Sequence, residues 1–148
     1  RDRLGLPGEA QWEKAARGGN DFIYPWGNTF NPALLNFCDK NCPMGWALKD
    51  FDDGYEDTAP VDMFEGGQSP YGAFNMSGNV YEWTLDWYDV YPGGNASADD
   101  SFGETHKVVR GGSWFDSDYM LRADHRFKLM PDDFEDIVGF RCARNTTP

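Results

Sequence analysis

Residues 75–88 read NMSGNVYEWTLDWY. They set a carboxylate, Glu82, between Tyr81 and Trp83, in a stretch whose rings belong in a core. An ionised carboxylate among rings is costly unless a cation or hydrogen-bond donors meet it. Two kinds of partner answer that demand. One is an arginine near the surface. The other is a metal ion. Working back from Glu82, a chain that curls at Gly78 offers the Asn75 side-chain oxygen, the Gly78 and Val80 carbonyls and the Glu82 carboxylate. These are hard oxygen ligands of the kind calcium takes. Spacing alone leaves both partners open.

The rest of the chain frames that question. Its 148 residues suffice for one domain with a real core. Aromatic residues make up 16% and glycines number 17, while long aliphatics are sparse, which predicts a loop-rich domain packed around rings rather than a helix bundle. The net charge of −12, from 25 acidic and 13 basic residues, offers no basic face for nucleic acid. It leaves a solvated acidic surface or bound cations. No apolar run reaches the roughly 18 residues a membrane-spanning helix needs. The sequence opens at Arg1 without a methionine and reads as part of a longer chain.

Three cysteines leave one unpaired within the chain. Cys38 and Cys42, in CDKNC, either close a local disulfide or stay free. They make no zinc site, since three Cys and two His lack finger spacing. LPGEAQWEKAARGG (6–19) predicts a helix, with Pro7 in its first turn, Glu9 at the dipole's positive end and Gly18-Gly19 as the stop. Ala10, Trp12, Ala15 and Ala16 share its expected buried side. YPWGNTFNP (24–32) reads as turns. Residues 36–62 are irregular and acidic, and DFDDGYEDTAP lacks the EF-hand order with its closing Glu, so spacing favours a solvated charge run. HKVVRGGSW holds a short strand ending at a glycine pair, and a second strand is expected over 137–143. No repeat or linker divides residues 1–148, which predicts one domain. Ser113 lacks a nucleophile elbow, and His106 and His125 are too few for a histidine metal triad. Asn95 and Asn145 begin glycosylation sequons.

Taken together, LPGEAQWEKAARGG, YPWGN, TAPVDMF, YGAFNMSGNVYEWTLDWY, VVRGGSW and VGFRCAR resemble the formylglycine-generating enzyme family, the sulfatase-modifying factors. They occur in the family's order across nearly the whole chain. The resemblance implies an α+β fold related to C-type lectins, loop-rich with little regular secondary structure, of which this would be the C-terminal part. It implies two calcium sites. One would use Asn75, Gly78, Val80 and Glu82. The other would use Asn36, Phe37, Asp53 and Tyr55, the Phe and Tyr through their carbonyls. The family's enzymes oxidise a sulfatase cysteine to formylglycine with copper(I) and oxygen, and copper(I) prefers thiolates. They carry two cysteines a few residues after the GGS serine. Here the ungapped positions are Asp116 and Leu121, and no cysteine lies between Ser113 and Arg141. The resemblance therefore carries over the fold and calcium, and no copper is expected. Cys142, in GFRCAR, matches a structural family cysteine whose partner would lie upstream.

The functional expectation is a non-oxidase member of the family, a calcium-stabilised module that binds a protein or small-molecule ligand. Its recognition surface would comprise Ser113, Trp114, Asp116, Asp118, Tyr119, Arg122, His125 and Arg126. Members of the family serve as accessory domains of bacterial surface proteins. Others are diversified ligand-binding proteins of retroelements, whose variable positions fall where residues 115–136 lie. The alternatives are an atypical formylglycine-generating oxidase, or a family oxidoreductase whose iron is held by histidines of a separate N-terminal domain. Calcium and a local disulfide lean towards an extracytoplasmic setting.

Overall fold

The alternation in YEWTLDW makes the central strand of the protein. In the computed structural model, which describes residues 4–95 and 99–144, β1 spans Tyr81–Trp87. It pairs antiparallel with β2 (Lys107–Arg110), and β2 pairs antiparallel with β3 (Arg126–Leu129). The short β4 (Val138–Gly139) runs parallel along the other side of β1, giving the order β3-β2-β1-β4. Val108 and Val109 of β2 are fully buried, as suits β-branched side chains at the centre of a sheet. A register shift between Trp83 and Trp87 bends β1 as it leaves the ladder. Among the described residues one α-helix, two short 3-10 helices and four strands, joined by long connections, make a loop-rich α+β domain.

The helix α1 spans Glu9–Arg17, shorter than the sequence predicts. Pro7 lies outside it in extended chain, and its carbonyl accepts the Leu85 N–H. Gly8 caps the start, its N–H donating to the Gln11 side chain, and Gly18 ends the helix with a positive φ. The buried side also differs from the expected one. Trp12 and Ala16 are buried, Ala10 is exposed, and Glu9 is buried in its place. Glu9 is held there by Arg110 of β2 and Arg126 of β3. The expected strand over 137–143 is reduced to two residues. The chain leaves the ladder at Phe140, and Ala143 then forms an isolated antiparallel bridge with Gly5 outside the sheet.

The apolar interior forms two groups. Trp12, Ala16, Met76 and Ala123 pack between helix and sheet. Tyr24, Leu35, Phe37 and Leu121 pack beneath the loops. A disulfide joins Cys38 and Cys42, both buried, while Cys142 is free and exposed. Among the described residues no helix is long and apolar enough to cross a membrane. Ala96 and Ser97 of one sequon, and the Asn145 sequon, lie outside the described residues.

Candidate functional site

Glu82 is buried on the helix side of β1. Arg141 grips it with two hydrogen bonds, Nε to Oε2 and an Nη to Oε1, each 2.5 Å. The Trp12 indole N–H donates to Oε2 at 2.6 Å. The same Arg141 Nη reaches the carbonyls of Phe74 and, at 3.4 Å, Asn75. A guanidinium thus stands among the oxygens expected to face an ion. Three of the four predicted residues, Asn75, Val80 and Glu82, line a cavity of about 220 Å³ together with Arg141, and Gly78 is not among its lining residues. Gly78 sits at the turn with φ +79, and a Cβ on it would lie 2.1 Å from the Asn36 carbonyl, so only glycine fits. As a calcium cage this set is a poor fit, because its one carboxylate already carries a cation.

The turn at Gly78 ties this region to two others. Gly78 N–H donates to the Gly111 carbonyl, Asn79 N–H to the Asn36 carbonyl, and Trp114 N–H to the Asn79 carbonyl. Beyond Asn36 lies the second predicted ligand set. Asp53 accepts the Phe37 N–H at 3.0 Å and the Tyr55 N–H at 2.9 Å, so three of the four predicted residues meet. Asn36, fully buried, donates its amide to the Asp57 carbonyl and to Asn79. The sequence reading missed Asp39. It is buried beside the disulfide, and its carboxylate accepts the N–H groups of Asp53 and Asn41. Burial, with Asp39 as neighbour, pushes the Asp53 carboxyl up to about 6. Among the described residues neither Asp39 nor Asp53 has an ion-pair partner. Phe37 and Tyr55 thus turn their N–H groups to Asp53, where their carbonyls were expected to face an ion, and among the described residues no group of three or more His, Cys, Asp or Glu side chains gathers to hold a metal. The CDKNC motif was the available signal for Asp39, but it drew attention to its cysteines.

The GGS loop forms the third region. Gly112 has φ +70, and a Cβ there would meet the Met120 carbonyl at 2.9 Å. That close approach folds residues 113–121 back on themselves. Ser113 is fully buried and faces inward. Its N–H and hydroxyl both donate to Asp116 Oδ2, at 2.9 and 2.6 Å, and the Tyr81 hydroxyl bonds the same carboxylate. Burial raises the Asp116 carboxyl above its usual range despite those donors. Leu121 is fully buried in the second core group, against Tyr24, Leu35 and Phe37.

The other predicted surface residues divide. Asp118 and Tyr119 are exposed, with Trp114 half-buried beside them. The Phe115 ring lies edge-on to both Trp114 and the exposed Trp46. Arg122 forks onto Asp124 and lies over the Tyr119 ring. His125 packs against Tyr119, and burial lowers its pKa. Arg126 does not join them, since its guanidinium is bound to Glu9 on the helix side.

The sulfatase-modifying factor enzyme 1-like domain matches residues 3–146. The chain belongs to the sulfatase-modifying factor family. It is 37% identical over 144 residues to the inactive C-alpha-formylglycine-generating enzyme 2 of Mus musculus, covering 93% of this chain and 42% of that protein. It is 35% identical over 158 residues to the mouse formylglycine-generating enzyme, covering 97% and 40%. This family member thus spans about two-fifths of the length of those curated relatives. Among solved structures it resembles Treponema denticola variable protein 1, with a TM-score of 0.72 and 27% identity over 94% of this chain and 46% of that one.

Proposed function

We propose that this family member is a calcium-stabilised recognition module that does not use the family's copper oxidase chemistry. One observation carries the reading: the two positions expected to supply copper thiolates serve the fold. Asp116 is the shared acceptor of Ser113 and Tyr81, and Leu121 is a core side chain. Cys38 and Cys42 are joined, which leaves Cys142 as the one free thiol, and a bis-thiolate copper(I) site needs two. That a relative bears the name inactive formylglycine-generating enzyme 2 agrees with this reading.

Asn36, Phe37, Asp53 and Tyr55 would hold calcium, with Asp39 behind them. The ion would supply the counter-charge that the two aspartates lack. Asn75, Gly78, Val80 and Glu82 would stay without an ion, because Arg141 already neutralises their one carboxylate. The recognition surface is formed by Trp114, Asp118, Tyr119 and Arg122, with Trp46 beside them. Ser113 and Asp116 support it from beneath.

The test is a direct assay. The complete protein is mixed with copper(I), oxygen and a peptide carrying Cys-x-Pro-x-Arg, and the aldehyde is sought by mass spectrometry. An authentic formylglycine-generating enzyme runs in parallel. The expected result is no aldehyde. Aldehyde formation would overturn the reading and favour an atypical oxidase.

A further inference from the structure

Where the chain leaves β1, it builds a second aromatic site away from the GGS loop. Tyr88, Tyr91 and Phe102 line a cavity of about 270 Å³ with Asp89, Asn95 and Arg126. The Arg126 guanidinium lies between two rings, 4.8 Å from the centre of Tyr88 and 4.3 Å from that of Tyr91. The Phe102 ring flanks Tyr88 at 5.8 Å. Tyr91 keeps half of its surface exposed.

The charges around the cavity narrow what it takes. Arg126 is neutralised by both oxygens of Glu9 and also donates to the Asp89 carbonyl. Lys128, over the far part of Tyr88, is paired with Asp99. Among the described residues no free cation lines the cavity for an anionic ligand, and the chain's charge of −12 opposes one. A cationic ligand would meet the like charge of the Arg126 guanidinium, which already lies against both tyrosine rings. What remains is an apolar ring surface, a rim of polar groups from Asp89 and Asn95, and a volume just under the roughly 300–1,000 Å³ of drug-sized pockets. A neutral ring with a C–H face and hydroxyl edges meets all three conditions.

We propose that Tyr88, Tyr91 and Phe102 form a binding site for a single neutral pyranose ring, independent of the surface around Trp114. The sugar's C–H face would lie on the exposed half of Tyr91, and its hydroxyls would reach Asp89 and Asn95. One ring in an open cavity gives weak binding, in the millimolar range.

Amide-resolved NMR titration tests this with methyl β-D-glucopyranoside, methyl β-D-galactopyranoside and methyl α-D-mannopyranoside, and with glycerol as the control. The expected result is saturable shifts of the Tyr91, Gly94, Asn95 and Arg126 amides with at least one glycoside and none with glycerol. Tyr91→Ala should weaken that binding about tenfold, while Tyr91→Phe, which keeps the ring, should retain it. No saturable shift with any of the three overturns the proposal. So do shifts centred on Trp114 and Tyr119, or equal losses in the two variants. The wild-type shift map decides the matter even if a variant fails to fold.

Discussion

Removing the Glu82 carboxylate should destabilise the protein in a way that identifies its partner. Glu82 and Arg141 have side chains 8% and 28% exposed, and the Trp12 indole that also bonds Glu82 is 1% exposed. Removing one member of a buried pair costs about 3–5 kcal/mol. Arg141 retains some access to water, so the lower end applies to Glu82→Ala, about 3 kcal/mol. At roughly 2–4 °C per kcal/mol for a chain of this size, the melting temperature should fall by about 6–12 °C. Glu82→Gln keeps an acceptor for Trp12 and should cost less, about 1–2 kcal/mol. Urea melts of Glu82→Gln, Arg141→Met and the double variant form a cycle, and every sample is measured in chelator to keep ions out. A coupling of about 1–3 kcal/mol is expected. The reasoning is refuted if the coupling is below about 0.5 kcal/mol, or if chelator destabilises the wild type but not Glu82→Ala. The second outcome would make an ion, not Arg141, the partner that matters.

Two more outcomes follow from the same structure. Asp116→Ala should cost about 2–4 kcal/mol, because the Ser113 N–H, the Ser113 hydroxyl and the Tyr81 hydroxyl lose one shared acceptor; a thermal melt within 2 °C of wild type would show that the carboxylate is not structural. Asp53 has a folded-state pKa of about 6, raised from 3.8, so in calcium-free protein its contribution to stability is full below about pH 4 and is lost as pH rises through about 6. Being partly exposed, it should contribute no more than about 1–2 kcal/mol, and Asp53→Asn should flatten that slope. Calcium should bind more tightly as pH rises through the same window, because the ion and the proton compete for one carboxylate. A calcium affinity independent of pH between 5 and 7 would remove Asp53 from the ligand set.

Local pattern revealed some elements and hid others. The glycine pair after KVVR marked the end of β2, and Gly18 marked the end of α1. Both signals lie within a few residues of what they control. Glu9 looked like a solvent-facing dipole residue, because Arg110 and Arg126, which bury it, lie 101 and 117 residues further on. Glu82 was legible as a question and not as an answer. Its residues admitted both an arginine and an ion, and only the return of the chain at residue 141 brought the guanidinium to it. Asp53 was found by family order. Asp39 escaped notice, because a buried acid 14 residues away leaves no periodic mark.

The carboxylate at the middle of β1 also imposes an order of events. Trp12 lies 70 residues before Glu82, and Arg141 lies 59 residues after it. During synthesis Glu82 leaves the ribosome with its indole donor already made and its cation still untranslated. At a few to about 20 residues per second, that interval lasts several seconds. Throughout it the helix cannot seal onto the sheet without burying an unpaired charge, so the nascent chain must hold its aromatic core open. Arg141 is the last of the groups that closure awaits, after β2, β3 and β4, and a ribosome stalled anywhere between the two residues would carry a chain with its rings exposed.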